Sequence, residues 1–297
     1  MSDVVEPRKP MPSNAFATVV LPGVASSTQH PSLNLLLRRH QPLANTLPYY
    51  LDSPANMIAC PSQPTHLGHL RLSLSLGQII GSGAVSRVYE ATVIPSGSSS
   101  SLNSRILPPL VVKISRRGMG HTLLPEAQNY VEMATLQGHV IPRCYGLYSA
   151  TIPDGIQFRP WEGEDGDAQA RNDRWPFHSL PKDEGLLASN IVTILVLERL
   201  GEALPLGTFR TDPTDFPEIQ AMYTDMSTFG VVHHHMATSN IVKALDGAAL
   251  PVLTSPNWTK PYQYRLIDFH ESFKVNIEPS RLAAIEHVGL ERLLNEA

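Results

Sequence analysis

Leu110-Val111-Val112-Lys113-Ile114 is the stretch from which the fold is read. Four aliphatic residues, three of them β-branched, predict a buried strand. The lysine in their midst must either snorkel to water or find an anion. Upstream, Leu72, Leu74 and Leu76 alternate with Arg71, Ser73 and Ser75, the period of a half-buried strand. Residues 87–94, with Val88, Tyr89 and Val93, give another strand. The run Pro95-Ser96-Gly97-Ser98-Ser99-Ser100-Ser101 is a loop by composition. Downstream, residues 125–137 read as a helix. Ala127, Tyr130, Val131 and Ala134 fall at i, i+3, i+4 and i+7, and Gly138 supplies the stop.

Further along, residues 145–150 read as a strand. Residues 153–187 are polar and broken by proline and glycine, and read as a surface insertion. Residues 191–197 are nearly all apolar, as in a strand covered on both faces. A helix opens at Asp215-Phe216-Pro217 with a buried stripe of Ile219, Met222, Tyr223, Met226 and Phe229. Short strands at 231–232, 241–242 and 264–267 surround polar turns, with a loop at 246–262 between the last two. A terminal helix over 280–295 carries Leu282, Ile285, Leu290 and Leu293 on one side. This order predicts an α+β fold with a mostly antiparallel sheet. Residues 1–65 hold prolines 10, 12, 22, 31, 42, 48, 54, 61 and 64, and read as an irregular segment. Within them Leu33-Asn34-Leu35-Leu36-Leu37 suggests one or two helical turns.

Composition narrows the class. The chain has 297 residues, 42% of them hydrophobic, which is enough to bury a core. Its 23 basic and 27 acidic residues leave a net charge of −4 and no basic stripe, so a nucleic-acid partner is not expected. No apolar run reaches the length of a membrane span, and no signal-peptide pattern opens the sequence. Two cysteines, Cys60 and Cys144, form no disulfide framework. A cytoplasmic or nuclear protein, not a secreted one, is the expectation.

Three constellations carry chemistry. Gly81-Ser82-Gly83-Ala84-Val85-Ser86-Arg87-Val88 lies between two strands, where backbone amides can meet phosphate oxygens. A plain glycine-rich hairpin is the alternative reading. Lys113 is followed by Glu126 near the start of the next helix, a natural partner for a desolvated ammonium. Glu132 competes, but its place on the helix suggests an exposed face. The third constellation is His233-His234-His235-Met236-Ala237-Thr238-Ser239-Asn240 with Leu266-Ile267-Asp268-Phe269-His270.

Taken in chain order, these segments resemble the protein-kinase-like superfamily over about residues 70–275. The phrases Leu136-Gln137-Gly138, Ile141-Pro142-Arg143-Cys144-Tyr145-Gly146 and Gly230-Val231-Val232-His233 are similar to those of small fungal kinase-like proteins. The resemblance implies a two-lobed fold. An N-lobe of antiparallel sheet plus one helix would span 66–200, with the insertion at 153–187, and a reduced helical C-lobe would span 201–297. It implies that Gly81, Gly83 and Val88 cover a nucleotide and that Lys113 contacts its phosphates while paired with Glu126. Glu198 to Leu200 would face the adenine. His233 would be structural, and Asn240 and Asp268 would hold Mg²⁺. ATP and Mg²⁺ are then the expected cofactors, with the nucleotide and a protein as partners.

The departures from that pattern define the activity expected. His235 stands where the family has its catalytic aspartate, and His270 where it has a glycine. Only 29 residues follow Asp268 in the sequence, too few for a peptide-seating platform. The expectation is an ATP-binding domain impaired in catalysis, with a scaffold or regulatory role. One alternative is an active phosphotransferase using His235 as base. Another is a metal-binding module built from His233, His235, His270 and Asp268.

Overall fold

The computed structural model describes residues 8–40, 49–50, 68–95, 105–163, 184–205, 215–245, 250, 253–255 and 257–296. Its centre is a closed β-barrel of seven strands. They are β1 (Phe16–Ser26), β2 (Leu33–His40), β3 (Leu70–Ser82), β4 (Ser86–Val93), β5 (Leu110–Ser115), β6 (Cys144–Thr151) and β7 (Ile191–Glu198). Round the barrel the order is β1-β2-β6-β7-β5-β4-β3, and β3 returns to β1. Every barrel pair is antiparallel except the β1–β3 seam, where Val19 faces Leu72 in parallel register. A two-residue strand, Gln157–Phe158, is added outside β1.

Closure follows from the alternation of side chains. Phe16, Val19 and Leu21 of β1 point inward with Leu35 and Leu37 of β2 and Leu72 and Leu74 of β3. Leu110, Val112 and Ile114 of β5 and Val192, Ile194 and Val196 of β7 complete a solid interior. The intervening residues Val111, Leu147, Leu195 and Leu197 face outward and form a second apolar cluster with the helices. Those helices are α1 (Leu123–Glu132), α2 (Phe216–Ser227) and α3 (Pro279–Glu296). Short strands β8 (Val231–Val232), β9 (Ile241–Lys243), β10 (Tyr264–Leu266) and β11 (Phe273–Val275) link them in two small sheets.

This architecture overturns the two-lobed kinase-like expectation. The sheet closes on itself, the chain is mostly β, and three helices form a small outer layer. The elements that close it lie in the segment read as irregular. Pro22 sits inside β1 where the register slips between Leu21 and Ala25, and Gly23 there has a φ of 67°. A bulge tolerates a residue that cannot donate to the ladder, so proline does not end the strand. Pro31 falls in the β1–β2 turn. Leu35 and Leu37 point into the barrel while Leu36 points out, so this run has period two and is no helical turn.

Arg39 fastens the seam between β2 and β6. Its Nε donates to Phe16 O at 2.8 Å, and its guanidinium reaches Ser13 O at 2.8 Å, Tyr145 O, and Tyr148 Oη at 3.2 Å. Gly146 makes room for it. A Cβ there would lie 2.6 Å from the guanidinium carbon, and its φ of 126° already excludes most side chains. Among the described residues, no helix is long and apolar enough to cross a membrane.

The seam generates a test. A chain starting at residue 66 loses β1 and β2 and bares the inward faces of β3 and β6. It should show no cooperative thermal unfolding, whereas the full chain should. Arg39→Met removes the donor that ties Phe16 O and Tyr145 O together, leaving them to share the Tyr148 hydroxyl, and should cost about 1–3 kcal/mol in urea denaturation.

Candidate functional site

The site is built on the outer wall of the barrel. Inward-facing Val112 and Ile114 turn Lys113 outward towards the helices. There its Nζ lies 2.7 Å from Glu126 Oε2 and 2.6 Å from Asp268 Oδ1. Glu126 stands in the first turn of α1, where the helix dipole favours a carboxylate. Asp268 follows β10 with left-handed backbone, φ 70° and ψ 61°, and leads into a 3₁₀ turn at Phe269–Glu271. His234, with φ 59°, shares that conformation. Among the described residues these are the two non-glycine positions with positive φ. Such strain concentrates where surrounding structure over-determines a functional geometry.

The charges divide unequally. Burial acts to deprotonate Lys113, but Asp268 and Glu126 outweigh it and its pKa rises. Burial pushes Glu126 up by more than Lys113 pulls it down. Burial also acts to raise Asp268, but Lys113 and the contacts from His235 and His270 hold it well below the usual carboxylate range. Asp268 is therefore the firmly ionised member.

Two histidines attend that carboxylate. His270 Nδ1 lies 2.7 Å from Asp268 Oδ1, and His235 Nδ1 lies 3.5 Å from Asp268 Oδ2. The contact with Asp268 raises the His235 pKa against the effect of burial. His233 is elsewhere. It is fully buried, its Nε2 donates to Ile267 O at 2.8 Å, and burial depresses its pKa to about 4. An extended backbone would point His233 and His235 the same way. The left-handed His234 breaks that alternation and sends one into the core and the other to solvent. His233 instead joins a ladder of rings. Tyr130 meets Phe269 at 5.4 Å, Phe269 meets His233 at 5.0 Å, and His233 meets Tyr223 at 6.0 Å.

The remaining sequence-predicted residues fall in two groups. Asn240 comes to the site. Its Nδ2 donates to His235 O at 2.9 Å, and its backbone O accepts from Ile267 N at 3.0 Å, beside Asp268. Val88 pairs across strands with Lys113, and Gly81 pairs with Val88, so the glycine hairpin adjoins the lysine. A Cβ at Gly81 or Gly83 would meet only ordinary contacts at 3.5 Å or beyond, and neither has positive φ. The fold itself does not require glycine there. Glu198 stands apart: its carboxylate is bound by Arg143 through Nη1 and the backbone N, each at 3.0 Å. That ion pair joins β7 to the strand before it, and Leu200 follows half-buried in the connection to Lys243.

Sequence reasoning passed over several positions. Glu132 is not on an exposed face; it is buried and ion-paired with Lys274. Asn129 Nδ2 donates to Phe269 O at 3.1 Å and Ser272 O at 3.2 Å, tying α1 to the Asp268 turn. On α3, Ile285 is exposed while Glu286 is buried and accepts from His233 N at 3.0 Å. No periodicity marks these groups, because each is a polar residue turned inward by one tertiary partner. Cys144 is a buried free thiol, and Cys60 lies outside the described residues.

No protein-family model matches the chain, and no curated protein matches it in sequence. The resemblance drawn from the motifs thus has no support beyond them, and the closed barrel contradicts it.

Glu286 gives the site a pH signature. Burial raises its pKa from 4.5 to about 7. A carboxyl raised in the folded state binds more protons folded than unfolded. Its contribution is therefore complete below the unfolded value and is lost as pH rises through the folded one. Folding stability should fall by up to about 3 kcal/mol between pH 5 and pH 8. Glu286→Gln, which can still accept from His233 N, should flatten that slope in urea titrations.

Proposed function

We propose that the Lys113–Glu126–Asp268 cluster binds the phosphates of a nucleoside triphosphate together with a divalent cation, and transfers phosphoryl groups poorly or not at all. The observation that carries this reading is the convergence of Lys113 and Asp268 at 2.6 Å from positions 155 residues apart. A triphosphate needs its charge neutralised from two sides, by an ammonium and by a metal ion held on a carboxylate. Lys113 is the compact point charge suited to a phosphate. Asp268 is ionised and partly exposed, and offers a carboxylate oxygen to a divalent cation. The cation, once bound, supplies charge neutralisation for the phosphates.

Two further observations favour the reading. The strained backbones of His234 and Asp268 hold their side chains at the site. Gly81 and Gly83 carry no side chain in the hairpin beside Lys113 although the fold would accept one at either position. Poor transfer follows from His235. It is held towards Asp268, and that contact favours its charged form, whereas a general base must be neutral to take a proton. A cytoplasmic or nuclear setting, a protein partner and a regulatory role complete the proposal. A buried free thiol at Cys144 fits a reducing compartment.

The test is thermal unfolding of the full chain with ATP, with and without a divalent cation, Mg²⁺ and Zn²⁺ in turn. At a ligand concentration 100-fold above the dissociation constant, stabilisation should reach about 2.7 kcal/mol. Gly83→Val should keep the unliganded melting temperature and lose the shift, because the side chain blocks the ligand and not the fold. Absence of any shift at millimolar nucleotide overturns the binding claim. Rapid magnesium-dependent transfer that vanishes on Asp268→Ala overturns the claim of impairment.

A further inference from the structure

The donors round Asp268 are not those of an all-oxygen magnesium site. His235, Asp268 and His270 each offer one ligand atom, and the three atoms lie within 4.8 Å of one another. His270 Nδ1 and His235 Nδ1 both face the carboxylate, at 2.7 and 3.5 Å. A bare imidazole nitrogen and a carboxylate oxygen repel each other at the shorter of these distances. A proton or a metal ion must lie between them. The pair formed by Asp268 and His270 comes from one turn. The left-handed Asp268 and the 3₁₀ turn after it bring residues two apart to the same point. His235 comes from the opposite turn, where Asn240 fixes its carbonyl and His234 sets its direction.

The surroundings match those of a metal site. Glu271 Oε1 lies 3.8 Å from His270 Nε2, the ring nitrogen away from the carboxylate. That distance is a charge contact and not a hydrogen bond, and it places a negative charge beside the ring nitrogen remote from Asp268. His270 is nearly buried, whereas His235 is about half exposed, so the cluster has one closed and one open side. Two imidazoles and one carboxylate form a borderline donor set, which suits Zn²⁺, Co²⁺ or Ni²⁺ better than Mg²⁺. Three protein ligands with an open position are the pattern of a metal that takes a further ligand from solution.

We propose that His235, Asp268 and His270 form a three-ligand site for a zinc-class divalent metal, with its open coordination position on the side of the half-exposed His235. The site names the cation of the reading above and rests on that reading only for the identity of the fourth ligand, a phosphate oxygen. Metal binding itself needs no nucleotide. Binding displaces the protons shared between the imidazoles and the carboxylate and leaves Lys113 paired with Glu126.

The experiment uses the full chain stripped with a chelator and kept free of nucleotide. Co²⁺ is titrated while its visible absorption is recorded, and Zn²⁺ and Mg²⁺ are then added as competitors. One equivalent should bind with the absorption of a low-coordinate site, Zn²⁺ should displace it, and a large excess of Mg²⁺ should not. His235→Ala and His270→Ala should each weaken binding at least about tenfold, since even outer-shell losses reach that size. His235→Ala is the safer variant for folding, because the side chain is half exposed. His30→Ala, on the far β1–β2 turn, should bind as the unaltered chain does. No stoichiometric Co²⁺, displacement by Mg²⁺, or binding indifferent to both site variants overturns the proposal. Gly83→Val separates the two readings, since it should abolish the nucleotide shift and leave Co²⁺ binding unchanged.

Discussion

An ammonium held out of water between two carboxylates is the constraint on which the outer layer depends. Lys113 is fixed by strand alternation to the outside of a rigid barrel, so its charge must be met there. Removing one partner of such a buried arrangement strands a charge and costs several kcal/mol. Helix α1 is consequently held along its whole length. Glu126 meets Lys113 at its start, Asn129 binds the carbonyls of Phe269 and Ser272 in its middle, and Glu132 meets Lys274 near its end. Each contact joins α1 to the barrel wall or to the chain just after Asp268. The helix is the bracket that sets the aspartate against the lysine.

The turn that carries Asp268 would not hold its shape unaided. A left-handed conformation disfavours a residue with a Cβ, and here it occurs twice within one cluster. What offsets the strain is packing on either side. Phe269 is clamped between Tyr130 of α1 and His233, and His233 rests on Tyr223 of α2. Glu286 of α3 binds the backbone of His233 from behind. Neighbouring residues thus take opposite roles: Phe269 and His233 are buried anchors, and Asp268 and His235 are delivered to the surface. A one-residue slip in either turn would exchange them.

From residue 70 onward most elements were legible, because their signals are local. Alternation marked β3, a β-branched run marked β5, and a 3.6-residue stripe marked α2. A helix stands where α1 was expected, but it ends at Glu132, and of the expected stripe Val131 is only half-buried and Ala134 is exposed. The juxtaposition of Lys113, Glu126, Asn240 and Asp268 was legible as well, though from motif order and not from periodicity. The global architecture was not legible. β1 and β2 carry prolines at a bulge and in a turn, where they do no harm, yet proline in a sequence reads as a break. Their partners, β3 and β6, lie far along the chain, Leu70 opposite Phe16 and Ser149 opposite Arg38, and no local pattern announces so distant a pairing. Arg39 gave no signal either. Its value lies in the carbonyls it reaches, and those converge only when the seam is shut.

Closure also decides where chemistry is possible. A barrel whose interior is filled by Phe16, Leu37, Leu72, Val112 and Ile194 has no lumen for a ligand. Polar groups must then gather on the outer wall, at a place where the alternation exposes a charged side chain to a partner layer. On β5 that place is Lys113, flanked by outward Val111, and the helices pack round it. An open sheet could flex beneath such a lysine. A closed one cannot do so without breaking the seams at β1–β3 and β2–β6. The wall behind Lys113 is therefore the fixed reference against which the two histidine-bearing turns are placed.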